Sequence, residues 1–328
     1  MSSYAPAITP FDTNLTAVSG SPPRHALVFV HGILSSHVTF LKAYKYFRRV
    51  SKNLGTELAY FDYDYRLGLV ENGRALGTAL KSRYGHGETT VSLVCHSMGG
   101  LIGRLSILAN DSPMPFLRAL FMLGTPNRGA FHSRQLDPLF AAMLESGIPA
   151  RAVQRRARGI LELTDAYSIL NGFESKSKFA NDIFYISIPG CFFHERRAIY
   201  KRNEVPEKLF WLVNLTAALS ERLPIISVRL NRPHDGVVER VSNSLIPCDS
   251  GQWSEKASSV NFRGNPDPTY VHVQHRVCDE LTHGRIQSSY PLLRIMWEMM
   301  LAGSISGWID ELTPDDFGKL FYWTENAS

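Results

Sequence analysis

The stretch Val91-Ser92-Leu93-Val94-Cys95-His96-Ser97-Met98-Gly99-Gly100-Leu101-Ile102-Gly103-Arg104-Leu105 decides how this chain is read. An apolar run ends in a small residue, a serine stands between His96 and Met98, and a glycine-rich helical pattern follows. Strand, tight turn and helix in that order are the context of a nucleophile elbow, which holds its serine in a strained backbone conformation above the sheet edge with the hydroxyl exposed. Strand and helix nearly collide at such a turn, so the flanking residues must be small. Glycine inside a helix costs about 1 kcal/mol relative to alanine, so Gly99, Gly100 and Gly103 point to a steric demand. The first position of the usual G-x-S-x-G pattern is Cys95, a small residue that ends the strand.

Outward from that turn, apolar segments alternate with helical patterns. Ala26–Val30 reads as a strand buried on both faces and ends at His31-Gly32-Ile33-Leu34-Ser35-Ser36. A helical pattern runs from Phe40 to Val50, Leu58–Tyr63 reads as the next strand, and Val70–Arg83 as the next helix. Ala119–Leu123, Ile183–Ile188 and Thr269–Val273 supply further strands, and Tyr290–Leu301 a closing helix. The residues before Pro23 read as an irregular lead-in. This alternation implies a mostly parallel central sheet with helices on both faces. Two long excursions, 127–180 and 192–230, interrupt it; the second holds a helix candidate at Phe210–Leu219. Excursions of this length carry structure and function of their own, and their place after sheet strands puts them above the carboxyl edge, where open α/β folds bind ligands.

Composition narrows the field. Hydrophobic content of 44% with 20% charge describes an ordinary globular protein, and 328 residues allow one large α/β domain or two smaller ones. No segment approaches the ~20 apolar residues of a membrane-spanning helix, and the N-terminal residues lack a basic patch followed by an apolar stretch, so a cytoplasmic location is expected. Cysteines 95, 191, 248 and 278 show no metal-ligand spacing, and pairing among the last three stays open. Arg151, Arg155, Arg156 and Arg158 crowd together, a solvated helix face or a contact for anionic lipid head groups. No nucleic-acid-binding module accompanies them.

A serine hydroxyl needs a base to take its proton and a carboxylate to orient that base. Elbow serines precede the acid in the chain, and the acid precedes the histidine. Asp235, in Pro233-His234-Asp235-Gly236-Val237-Val238, is the strongest acid candidate; Asp182, Asp249 and Asp267 are its rivals. His283, in the loop before the closing helix, is the strongest base candidate, ahead of His275 and of His272 within a strand. The oxyanion of a tetrahedral intermediate calls for two backbone N–H groups: Met98, after the serine, and Ile33, whose neighbour Gly32 frees that loop to turn its amides inward. His31 reads as a brace for the loop.

Together His31-Gly32-Ile33-Leu34-Ser35-Ser36, His96-Ser97-Met98-Gly99-Gly100, Leu123-Gly124-Thr125-Pro126, Asp235-Gly236-Val237-Val238 and Thr282-His283 resemble the α/β-hydrolase superfamily. Within it the resemblance is to the lipase/esterase group, akin to bacterial triacylglycerol lipases and inositol-deacylase-like lipases. It implies an α/β-hydrolase fold over 1–328 as one domain, with a helical cap or lid built from 127–180 and 192–230. It further implies Ser97 as nucleophile, Asp235 as acid, His283 as base, and Ile33 and Met98 as the oxyanion hole. The implied activity is hydrolysis of acyl esters or lipids through an acyl-enzyme; some relatives bind a structural calcium, but no acidic cluster in this sequence demands one, so no cofactor and no metal are expected. An acyltransferase or thioesterase uses the same triad, and a non-catalytic receptor the same fold.

Overall fold

The computed structural model describes residues 6–12, 23–33, 35–52, 54–65, 67–110, 113–129, 158, 162–163, 166–174, 183–190, 235, 238, 242, 270–272, 281 and 283–301. Its strands are β1 (Ile8–Pro10), β2 (His25–Val30), β3 (Thr56–Phe61), β4 (Thr90–His96), β5 (Leu117–Leu123), β6 (Phe184–Ile188) and β7 (Tyr270–His272). Its helices are α1 (Leu41–Val50), α2 (Leu69–Tyr84), α3 (Met98–Leu108), α4 (Ala166–Glu174) and α5 (Tyr290–Leu301), and a 3-10 turn over His37–Phe40 leads into α1. The strands make one seven-stranded sheet in the order β1-β3-β2-β4-β5-β6-β7. Every neighbouring pair is parallel except β1 with β3.

The period-2 geometry of a strand lets one apolar run serve two cores. Ala26, Val28 and Val30 of β2 face a cluster completed by α2, α3 and α4, whereas Leu27 and Phe29 face one completed by α1 and α5. Val94, Phe121, Leu123, Ile186 and Ile188 extend the second core across the sheet, and Leu93, Leu120, Met122 and Tyr185 extend the first.

Register decides where the site can be. Val30 lies opposite Cys95, Cys95 opposite Met122, Met122 opposite Ser187, and Ser187 opposite His272. Adjacent strands therefore finish along one line, and the segments beginning at His31, Ser97, Gly124 and Pro189 leave from the same carboxyl edge. Open α/β sheets bind their ligands there.

The glycines after Ser97 have the steric reason their sequence implies. A Cβ on Gly99 would strike the carbonyl oxygens of Val30 and His31, so α3 begins hard against the end of β2. Gly100 lies against the Thr125 side chain, and a Cβ on Gly103 would sit 2.7 Å from Leu120 Cδ1 and 3.0 Å from Cys95 Sγ. Cys95 thus belongs to the β4–α3 packing, fully buried, with its thiol pushed well up by that burial.

Three sequence readings change. The lead-in contains β1, whose Ile8 pairs with Phe61; three residues are too few to show periodicity. Phe11 follows it and packs its ring 4.6 Å from Tyr44 and 4.8 Å from Tyr60, pinning the segment. The strand read as Leu58–Tyr63 ends at Phe61, because Asp62 and Tyr63 leave the sheet to bond the loop after β2. Within 127–180, α4 packs on the body of the domain, with Ala166 and Leu170 in the α2–α3 core. The rest of 131–157, all of 192–230 including Phe210–Leu219, and Cys191, Cys248 and Cys278 lie outside the described residues.

Gly99→Ala should destabilise by about 1–3 kcal/mol, the usual range for overpacking against atoms that cannot yield. Gly172→Ala, on exposed helix surface with nothing within 4 Å of its added Cβ, should stabilise by about 0.5–1 kcal/mol. Thermal or urea denaturation of the two variants checks both signs.

Candidate active site

Ser97 follows β4 and caps α3 with φ 53 and ψ −126, and among the described residues it is the one non-glycine at positive φ. Such a conformation costs on the order of 1–3 kcal/mol and persists only where its surroundings enforce it. Here the Ser97 N–H donates to Leu123 O at 2.8 Å, and the Gly100 N–H donates to Ser97 O at 3.0 Å. The serine stands at the sheet edge as expected, but it is enclosed: only 4% of it is exposed, with Gly32 packed directly against its Cβ.

Asp235 and His283 meet beside it. The His283 Nδ1–H donates to Asp235 Oδ2 at 2.7 Å, and the His283 backbone N–H donates to Asp235 O at 2.9 Å. Asp235 is 1% exposed, and its other carboxylate oxygen accepts the Val238 N–H at 2.7 Å. Room for this pair is made by glycine. A Cβ on Gly124, at φ +58, would come 3.1 Å from both Asp235 Oδ2 and His283 Nδ1, and one on Gly190 would come 2.7 Å from Asp235 Cβ. With Nδ1–H committed to the carboxylate, the His283 Nε2 lone pair is the proton acceptor. Among the described residues the His283 ring bonds to Asp235 and not to Ser97 Oγ.

His96, between strand end and serine, is the residue that sequence reasoning passed over. Its Nε2–H donates to His283 O at 2.8 Å, and the two rings lie 4.8 Å apart. Burial, reinforced by His283, lowers its pKa to about 3, so the ring is neutral and its tautomer is set by that carbonyl. Its position inside the motif is the available signal; a side chain adjoining Ser97 on a buried strand end has to point into the site's foundations.

The loop after β2 is held by the other buried histidine. His31 Nδ1–H donates to Gly32 O at 2.7 Å, and its Nε2 accepts the Tyr63 N–H at 3.3 Å. The Tyr63 hydroxyl donates to His31 O at 2.9 Å, and the two rings stack at 4.2 Å. A trans peptide directs C=O and N–H to opposite sides, so fixing Gly32 O turns the Ile33 N–H away from the His31 ring. Gly32 itself abuts the serine, since a Cβ there would lie 3.0 Å from Ser97 Cβ. Met98 stands in the first turn of α3, where backbone N–H groups have no intrahelical acceptor. His37 and Tyr60 brace the outer side, with His37 Nδ1–H donating to Asp62 Oδ2 at 2.5 Å.

The structure therefore brings Ser97, Asp235, His283, Gly32-Ile33 and Met98 to one edge from segments after four different strands. Asp182, Asp249, Asp267 and His275 lie outside the described residues, as does the His272 side chain. Among the described residues no group of three His, Cys, Asp or Glu side chains is placed to hold a metal ion.

No known family profile matches the sequence, and no curated protein matches it. The fold does have counterparts. Lipase 1 from Pelosinus fermentans superposes with a TM-score of 0.51 at 15% identity, over 89% of this chain and 100% of that one. The metagenomic carboxyl esterase MGS0156 has a TM-score of 0.49 at 15% identity, over 89% of this chain and 77% of that one. The mature lipase BlEst2 of Bacillus licheniformis has 0.45 at 15%, over 85% and 93%. The superposition on the Pelosinus lipase, with the sheet order above, establishes the α/β-hydrolase fold.

Burying His96 neutral makes stability depend on pH. Its pKa is depressed from 6.5 to about 3 on folding, so the unfolded chain binds the extra proton between those values. Stability is full above pH 6.5 and declines as pH falls below it, by at most ~1.4 kcal/mol per pH unit for one such group. Urea denaturation at pH 7 and pH 5 should show this loss, with a shallower dependence in His96→Gln; equal slopes would remove His96 as its source.

Proposed function

We propose that this protein is a serine carboxylic-ester hydrolase acting on lipid-like acyl esters, with Ser97 as nucleophile, His283 as base and Asp235 as the acid that orients it. The observation that carries the reading is the conjunction of a serine strained to φ 53 with a buried carboxylate–imidazole pair at the same sheet edge. A turn aspartate serving only its own backbone would not sit 1% exposed against a histidine ring at 2.7 Å.

The chemistry follows from those roles. Ser97 Oγ attacks the acyl carbon while His283 Nε2 takes the hydroxyl proton. Asp235 stabilises the imidazolium without itself being protonated. The carbonyl oxygen becomes an oxyanion, which the Ile33 and Met98 N–H groups receive; one such donor is typically worth about 3–4 kcal/mol in the transition state. Collapse breaks the ester C–O bond, and His283 passes its proton to the departing alkoxide. Water then repeats the sequence on the acyl-enzyme: His283 takes its proton, hydroxide adds to the acyl carbon, and Ser97 leaves with the proton returned. The cap segments within 127–180 and 192–230 supply the apolar wall for the acyl chain in this reading, with Leu139, Phe140, Met143, Phe210, Trp211 and Leu215 as its candidate residues.

A fluorophosphonate probe should label the wild type at Ser97 and leave Ser97→Ala unlabelled; a folded wild type that resists the probe ends the proposal. His283→Ala should lose on the order of a thousandfold or more in kcat while His275→Ala keeps most of it. Each buried methylene contributes roughly 0.8 kcal/mol, so kcat/KM should rise from acetyl through butyryl to octanoyl p-nitrophenyl esters. A steep preference for acetyl would leave a small-ester hydrolase instead.

A further inference from the structure

Helix α1 runs down the flank of the domain from the edge that carries the proposed site. Its outer face holds Leu41, Lys42, Lys45, Arg48 and Arg49, all exposed, with exposed Lys52 just beyond its end. At 3.6 residues per turn the helical five fall within an arc of about 120°. No carboxylate occurs in the sequence between Leu41 and Lys52. Arg48 is answered by Asp12 at 3.1 Å, but among the described residues no acidic group pairs with Lys42, Lys45, Arg49 or Lys52. The flank of α5 beside it is balanced, with Arg294 bound to Glu298 at 2.8 Å. Among the described residues, uncompensated positive charge is therefore concentrated on α1.

Apolar groups adjoin the same surface. Val38 is 55% exposed in the turn that leads into α1, and Leu41 is 41% exposed at its start. Tyr290, 55% exposed at the start of α5, packs its ring 6.0 Å from Tyr46 of α1. Of the arginine run read from the sequence as a solvated helix face or a lipid contact, the described member is Arg158, which is held by Glu162 at 2.8 Å and lies 3.9 Å from Glu71.

We propose that the outer face of α1 docks the protein on an anionic phospholipid surface, with Lys42, Lys45, Arg49 and Lys52 meeting head groups and Val38, Leu41 and Tyr290 entering the interface. Charge complementarity chooses a polyanion as occupant, and exposed aliphatic and aromatic groups next to the cations choose a membrane surface over a nucleic acid. The choice of lipid also rests on the ester-hydrolase reading, since such a surface would present acyl esters to the sheet edge where α1 begins.

The test is cosedimentation of the full chain, carrying Ser97→Ala so that turnover plays no part, with vesicles of phosphatidylcholine alone or mixed with phosphatidylserine. Binding should require phosphatidylserine and weaken as salt is raised. Lys42→Gln/Lys45→Gln/Arg49→Gln should bind about a hundredfold more weakly, roughly fivefold per cation near an anionic surface, with an unchanged melting temperature. Leu41→Ser/Tyr290→Ser should weaken the binding that survives high salt. The proposal is overturned if the triple variant binds as the parent does or if vesicles of both kinds bind alike. It is equally overturned if neither vesicle binds at low salt, or if a DNA duplex at equal phosphate concentration binds more tightly. Turnover of a soluble butyryl ester by the wild type reports on the hydrolase reading separately, so the two can fail independently.

Discussion

A single strained residue organises this molecule. Ser97 holds φ 53 and ψ −126, a conformation no L-residue adopts unless its surroundings leave it no alternative. The constraint comes from three directions. Leu123 O takes its N–H, so β5 fixes the end of β4. Gly99 lies under the carbonyls of Val30 and His31, so β2 fixes the start of α3. The Thr125 side chain presses on Gly100 from the segment after β5. Chain direction must reverse between a fixed strand end and a fixed helix start, and Ser97 absorbs the turn.

Around that residue two buried histidines act as oriented donors. His31 carries its proton on Nδ1 and gives it to Gly32 O; His96 carries its proton on Nε2 and gives it to His283 O. Each ring thereby fixes a carbonyl in a loop that has no regular hydrogen-bonding partner of its own. Burial depresses both pKa values, which preserves these tautomers: a charged ring would lose the acceptor that His31 offers to Tyr63. Desolvation, costly for a charge, here stabilises the neutral form that the loops need.

Much of this is legible in the amino-acid sequence. The apolar runs of β2, β4, β5 and β6 and the pattern of α5 carry their periodicity openly, because each serves a core on one or both faces. Ser97, Asp235 and His283 could be chosen by residue type, chain order and neighbouring glycine. What escaped was long-range. Ile8–Pro10 forms a strand only because β3 offers it an edge, and Asp62 and Tyr63 leave β3 only because His37 and His31 draw them away. His96 looked like filler within a motif, since nothing local says that the backbone of residue 283 passes above it. Cys95 departs from the usual glycine of the motif, and the absence of a side chain at Gly103 leaves the space beside its sulfur.

The same long-range character bears on how the site comes into being. Its parts follow β2, β4, β6 and β7, and the bond from His96 to His283 closes across 187 positions of sequence. Local structure can form the elbow's helix, but it cannot hold Ser97 strained, because the carbonyls and side chains that enforce the strain belong to β2 and β5. Nor can a partial sheet seat Asp235, whose cradle is Gly124 after β5 and Gly190 after β6. Loop closure over such separations is entropically expensive until the whole edge is in register. The strain at Ser97 is therefore sustained by the global fold and not by its neighbours in sequence, and an incompletely folded chain would relax the serine out of its turn before it lost its helices.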